Sequence, residues 1–256
     1  MKFRLVGLFL LFASIVCTAQ EITVAAAADL NYALKEIAQK FESQTGKKVQ
    51  ITFGSSGNFF TGIQNGAPYD LFFSADIDYP RKLEAAGLTV PGTLYEYAVG
   101  TIVLWVPDES KLNLMQGLAV LTDPSIGKIA IANPQHAPYG RAAVAALHSA
   151  KLYDRVSPKF VQGENISQTA QFVQSGNADI GIIALSLAKG PAMSSAGRYY
   201  VIPSDLYPPI EQAAVVLKSA KDRAASLQFL DFVKSHAGSE VLARYGFDAT
   251  AVAKKH

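Results

Sequence analysis

Cysteine is almost absent from this chain: there is one in 256 residues, Cys17, and none follows it. That excludes a disulfide framework, so a folded domain here must rest on its apolar core. Histidine is scarce as well. The four, at positions 136, 148, 236 and 256, show no spacing that would hold a metal ion. Neither a Gly-x-Ser-x-Gly elbow nor a Walker-type phosphate loop occurs, which removes two common enzyme signatures. Charge is sparse: 17% of residues are charged and 50% hydrophobic. This suffices for a sizeable core and gives no bulk bias toward nucleic acid or a membrane surface. Past the first twenty residues no apolar run is long enough to span a bilayer, and neither low-complexity tracts nor convincing internal repeats are found.

What is present begins with an export signal. Lys2 and Arg4 precede an apolar stretch over 5–13, and Cys17-Thr18-Ala19 places small residues at the cut. This pattern predicts a secretory signal peptide over 1–19, cleaved after Ala19, and a periplasmic mature protein. Cys17 leaves with it, since Ser14-Ile15-Val16 is a poor lipoprotein signal. Loss of Lys2 and Arg4 lowers 23 basic residues to 21, against 21 acidic ones, so the mature chain is formally neutral.

The mature chain opens with Ile22-Thr23-Val24, a short buried strand, followed by the small residues Ala25 to Ala28. Leu30, Leu34, Ile37, Ala38 and Phe41 then mark one face of a helix, with Asp29 in the N-cap place and Thr45-Gly46 at the stop. A strand that runs through small residues into a helix turns unpaired N–H groups toward open space, where an anion can bind. Any βα unit shares that outline, so its recurrence is what carries weight. Val49-Gln50-Ile51-Thr52-Phe53 leads into Gly54-Ser55-Ser56-Gly57-Asn58 and a helix. Ile129-Ala130-Ile131-Ala132 leads through Asn133-Pro134-Gln135-His136-Ala137-Pro138-Tyr139-Gly140 into a helix over 141–150. Phe160-Val161-Gln162 leads through Gly163-Glu164-Asn165-Ile166-Ser167 into a helix over 168–174. The pattern predicts an α/β fold of mainly parallel sheets flanked by helices, with a ligand beyond the strand ends. The apolar run over 97–107 and the segment 213–217 are expected to cross between two lobes. The expected division is 20–96 plus 218–256 as lobe 1 and 97–217 as lobe 2, hinged near 95–100 and 211–218.

At this point the motifs themselves become specific. Ile-Thr-Val-Ala-Ala-Ala-Ala-Asp-Leu, Phe-Gly-Ser-Ser-Gly, Gly-Ala-Pro-Tyr-Asp-Leu-Phe-Phe-Ser-Ala-Asp, Asn-Pro-Gln-His-Ala-Pro-Tyr-Gly, Gly-Glu-Asn-Ile-Ser and Arg-Tyr-Gly-Phe occur in that order. In this the chain resembles the molybdate-binding proteins of ABC importers, the ModA family, from about residue 21 to 247. The resemblance implies a type II periplasmic binding protein that closes its two lobes over one tetrahedral oxyanion and delivers it to a membrane permease. Molybdate, or tungstate, would be held by backbone N–H and hydroxyl groups at Asp29, Ser56, Tyr139 and Ile166. Ala28, Ser55, Gly57, Gly140, Asn165 and Ala184 would lie near the cleft. It further implies a monomer with no cofactor, no free metal cation and no nucleic-acid partner, and no enzymatic turnover.

Two positions depart from the family pattern. Many members have serine where Asp29 stands, and some have a tyrosine donor where this chain has Ala184; Tyr139 could supply that hydroxyl from another loop. A carboxylate beside a dianion is repulsive unless it turns away, so Asp29 is expected to cap its helix through the N–H of Asn31 or Tyr32. The rival readings are a phosphate or sulfate binder, with Asp29 accepting the proton of monohydrogen phosphate, and an exported enzyme on the same scaffold.

Overall fold

The computed structural model describes residues 21–248. The expected signal peptide over 1–19, with Cys17, lies outside the described residues. Ten strands form two five-stranded sheets. In the first, Ile22–Ala27 (β1), Val49–Gly54 (β2), Leu71–Ser74 (β3), Tyr95–Gly100 (β4) and Ile210–Val216 (β10) stand in the order β2-β1-β3-β10-β4. In the second, Ile102–Pro107 (β5), Ile129–Ala132 (β6), Phe160–Gly163 (β7), Ile180–Ala184 (β8) and Gly197–Val201 (β9) stand in the order β7-β6-β8-β5-β9.

The two sheets repeat one scheme. Three parallel strands, β2-β1-β3 and β7-β6-β8, carry the strand-to-helix turns. The strands nearest the crossings, β10 and β4 in one sheet and β5 and β9 in the other, enter antiparallel to their neighbours. The inner parallel strands β3, β6 and β8 are buried along their whole length because helices cover both faces, while the edge strand β2 alternates. Leu71, Phe72 and Phe73 of β3 and Ile129 to Ala132 of β6 are all buried. In the first lobe one face packs Phe41, Phe73 and Phe229, while the other gathers Phe72, Leu83 and Val215.

The expected apolar run over 97–107 is two strands. Gly100 ends β4 in the first sheet, Thr101 crosses, and Ile102 opens β5 in the second. The return lies between β9 and β10. Residues 97–100 and 210–216, expected in the second lobe, therefore pair within the first sheet. The physical reason is pairing: β10 bonds β3 on one side and β4 on the other, which apolar character alone does not reveal.

The first helix runs Ala33–Thr45 and buries Leu34, Ile37, Ala38 and Phe41, with Gly46 in the left-handed region at its end (φ 71°). Its start differs from expectation. A short 3-10 turn, Ala28–Leu30, precedes it, and no side chain caps the helix. Asp29 is not an N-cap: its carboxylate points away from Asn31 and Tyr32 into a buried cluster between the lobes.

Candidate functional site

Four turns meet where the sheets face each other. Ala27, Ala28 and Asp29 come from the end of β1, and Gly54, Ser55 and Ser56 from the end of β2. Ala137, Pro138 and Tyr139 follow β6, and Asn165 and Ile166 follow β7. With Ala75 they enclose a cavity of ≈ 10 Å³, room for the centre of one water-sized guest. Asp29, Ser56, Tyr139 and Ile166 all line it, together with Ala28, Ser55 and Asn165. Gly57, Gly140 and Ala184 do not. Gly140 instead packs against the Ala132 carbonyl, where a side chain would collide, and Ala184 ends β8 with its neighbour Leu185 bonded to the Thr101 carbonyl at 2.9 Å.

Local sequence explains how these turns present donors. Ser56 and Ile166 are the first residues of helices Ser56–Gln64 and Ile166–Gln174, and Tyr139 is the second of helix Pro138–Ser149. Amides in the first helical turn have no carbonyl four residues back. Asn165 caps its helix by accepting from Ser167 and Gln168 N–H, each at 3.0 Å, and so passes over the Ile166 amide. Pro138 has no N–H and fixes a helical φ, so Tyr139 supplies the first amide of its helix. The Ser56 hydroxyl accepts from Ala75 N–H at 2.9 Å and keeps its own proton to donate.

The lobes are shut over this cavity. Gly57 N–H donates to His136 O at 3.0 Å, and Ser167 and Ser186 hydroxyls donate to the Ala28 and Asp29 carbonyls, each at 2.8 Å. His136 Nδ1 lies 2.9 Å from Ser55 Oγ, and Asn58 Nδ2 donates to Glu164 at 2.7 Å. Arg141 pairs with Asp76 and reaches the Tyr79 hydroxyl. A wider groove of ≈ 540 Å³ lies beside the site, lined by residues including Asp76, Arg81 and Arg141, and shares Ala75 and Pro138 with it. The helix start in its lining, Ile77 and Asp78, has its amides taken by the Glu211 carbonyl and Asp76 Oδ1, each at 2.9 Å, so the chemistry points to the small cavity.

That cavity holds no Lys, Arg or His among its lining residues, and its one carboxylate is Asp29. Asp29 is 1% exposed. Its Oδ2 accepts from the Tyr139 hydroxyl and from Gln212 Nε2, both at 2.9 Å. Gln212 Nε2 also lies 2.8 Å from the Tyr139 oxygen, and Gln212 Oε1 accepts from the Tyr97 hydroxyl at 2.8 Å. Oδ1 is buried without a partner. Burial lifts the Asp29 pKa from 3.8 to about 6, against the pull of Gln212 and Tyr139 and smaller ones from the nearby amides. Burial and the facing carboxylate push the Tyr139 and Tyr97 hydroxyls well above the usual phenol range.

Sequence reasoning missed Gln212, Tyr97 and Ser186. The available signal was a lone uncharged polar residue, Gln212, directly before the apolar run Ala213-Ala214-Val215-Val216 of the strand Ile210–Val216. The Tyr139 hydroxyl donates to Asp29 Oδ2.

Two sheets joined by two crossings, closed over a small pocket of helix-start amides and hydroxyls, define a two-lobed binding protein of the type II periplasmic class. The family described as "Bacterial extracellular solute-binding protein" matches residues 22–248. The molybdate-binding protein ModA of Azotobacter vinelandii is 42% identical over 233 residues, 90% of this chain and 92% of that protein. ModA of Rhodobacter capsulatus is 39% identical over 90% of this chain and 88% of that one. The solved periplasmic molybdate-binding protein of Azotobacter vinelandii superposes with a TM-score of 0.83 at 35% identity, covering 88% of this chain and 98% of the other. The chain belongs to this solute-binding family and to the ModA group within it.

Proposed function

We propose that this chain captures molybdate, with tungstate as a near equivalent, between its lobes and delivers it to the membrane permease of an ABC importer. The observation that carries this reading is the convergence of the Ser56, Tyr139 and Ile166 helix starts on one cavity with no cationic side chain in its lining. Neutral dipoles suit a dianion in a closing cleft, because no countercharge has to be stripped of water. Ligation falls to the backbone N–H groups of Asp29, Ser56, Tyr139 and Ile166 and to the Ser56 hydroxyl. The relatives are binding proteins, and the role proposed here involves no turnover. Residues 1–19 act as the export signal, and the mature chain works in the periplasm as a monomer. The lobes hinge at Thr101 and between β9 and β10.

Asp29 favours one second reading. Its unpartnered Oδ1 suits an anion that carries its own proton, such as monohydrogen phosphate. Calorimetric titration of the mature chain with molybdate, tungstate, sulfate and phosphate separates the two. Tight binding of molybdate and tungstate with weak binding of the others is expected. Preference for phosphate would replace the first reading with the second.

A further inference from the structure

Asp29 presents a conflict that the fold has to resolve. A carboxylate lines a cavity suited to a dianion, and no positive side chain is among the lining residues. The groups that face it come from four elements. Tyr139 comes from the helix after β6, Gln212 from β10 and Tyr97 from β4, while Ser186, after β8, binds its carbonyl. The titratable members are the two tyrosines, and both stay protonated at any working pH. All the side-chain donors converge on Oδ2: the tyrosine hydroxyl and the glutamine amide each give it one hydrogen bond. The Gln212 oxygen accepts from the Tyr97 hydroxyl at 2.8 Å, which directs its amide N–H toward Asp29.

With both side-chain donors on Oδ2 and no partner on Oδ1, a proton taken up would sit on Oδ1, leaving the carbonyl oxygen satisfied and the hydroxyl free to donate. Resting on the oxyanion reading above, we propose that capture is proton-linked: Asp29 takes one proton from solvent onto Oδ1 as the anion enters, and that O–H donates to an anion oxygen. The proton then turns a repulsive neighbour into one more donor, and leaves with the anion when the lobes open. Burial already holds the carboxyl near 6, and an arriving dianion raises it further by like-charge repulsion. At neutral pH the empty site is ionised and the filled one protonated.

The test is calorimetry with molybdate on the mature chain between about pH 5 and 9, repeated in buffers of different protonation enthalpy. Wild type should take up close to one proton per anion near pH 8, and its affinity should fall about tenfold per pH unit above the carboxyl's free pKa. Asp29→Asn keeps an oxygen for Tyr139 and Gln212 and places an N–H donor where the O–H would be. It should bind without proton uptake, show a flat pH profile, and at pH 8 exceed wild type about tenfold or more in affinity. Wild-type binding with no proton exchanged and a flat profile overturns the proposal and leaves the oxyanion reading standing. A phosphate-binding wild type whose Asp29→Asn form loses phosphate also overturns it, by making Asp29 an acceptor. Absence of binding by all four anions removes the oxyanion reading itself. The buffer series on wild type alone decides the matter if the variant does not fold.

Discussion

The Tyr139 hydroxyl, on the second lobe, donates to Asp29 Oδ2 on the first across 2.9 Å, and both residues are buried. One hydrogen bond thus ties the closure of the lobes to the charge of the carboxyl. Tyr139→Phe removes it and leaves Asp29 with Gln212 alone. Below the carboxyl's pKa of about 6, where no proton has to be taken up, anion affinity should fall by about 1–2 kcal/mol, close to a decade in Kd. The pH at which affinity begins to fall should move upward, because a donor that steadied the carboxylate is gone. Calorimetry across pH checks both, and a variant identical to wild type in affinity and profile contradicts this tie.

Asp29 also sets a stability term in the anion-free protein. Its folded pKa, about 6, lies above the model-peptide value of 3.8. Between those values the folded chain holds a proton that the unfolded chain has released, so stability falls as pH rises through that window. The full effect is about 3 kcal/mol above pH 6. Asp29→Asn should recover it: the variant should gain on wild type in urea midpoint from pH 4 to 7 and keep a constant margin beyond. A margin independent of pH would mean that Asp29 ionises normally.

Ser56 is expected to serve two partners, Ala75 through its lone pair and the anion through its proton. Ser56→Ala should weaken molybdate binding by roughly 1.5–3 kcal/mol, the range for a hydrogen bond to a charged group. It should also lower stability by about 1–3 kcal/mol, as the buried Ala75 amide loses its acceptor. Calorimetry and thermal unfolding separate the effects. Unchanged affinity would show that only the Ser56 amide contributes.

Gly57 sits where the lobes touch. A Cβ there would lie 2.8 Å from the His136 carbonyl oxygen, closer than real contacts allow. Gly57→Ala should leave the separate lobes intact and prop the cleft open, weakening anion binding by about tenfold or more, at least ~1.4 kcal/mol. Small-angle scattering should show wild type shrinking with molybdate and the variant shrinking less. Equal shrinkage would place the closing contact elsewhere.

How much of this could be read from the sequence depended on range. The helix-start turns around Ser56, Tyr139 and Ile166 were legible because each is written in a few adjacent residues: a strand, small or capping residues, then helical periodicity. The apolar face of Leu34, Ile37, Ala38 and Phe41 was legible for the same reason. Asp29 was misread because its partners lie far off, Tyr139 110 residues away and Gln212 183. Locally an Asp before a helix looks like a cap, and nothing nearby says that a tyrosine from another lobe will claim its carboxylate. The place of β10 in the first sheet was hidden likewise, since an apolar strand does not announce its neighbours.

The account rests on amides that hold the anion, and their proton resonances report on it most directly. Amide spectra of the isotopically labelled mature chain, recorded with and without saturating molybdate, should show the N–H protons of Asp29, Ser56, Tyr139 and Ile166 moving downfield together. Those at the start of helix Arg223–Lys234, none of whose residues lines the cavity, should stay in place. If molybdate binds while these four amides are unmoved, the anion sits elsewhere and the site described here is not its site.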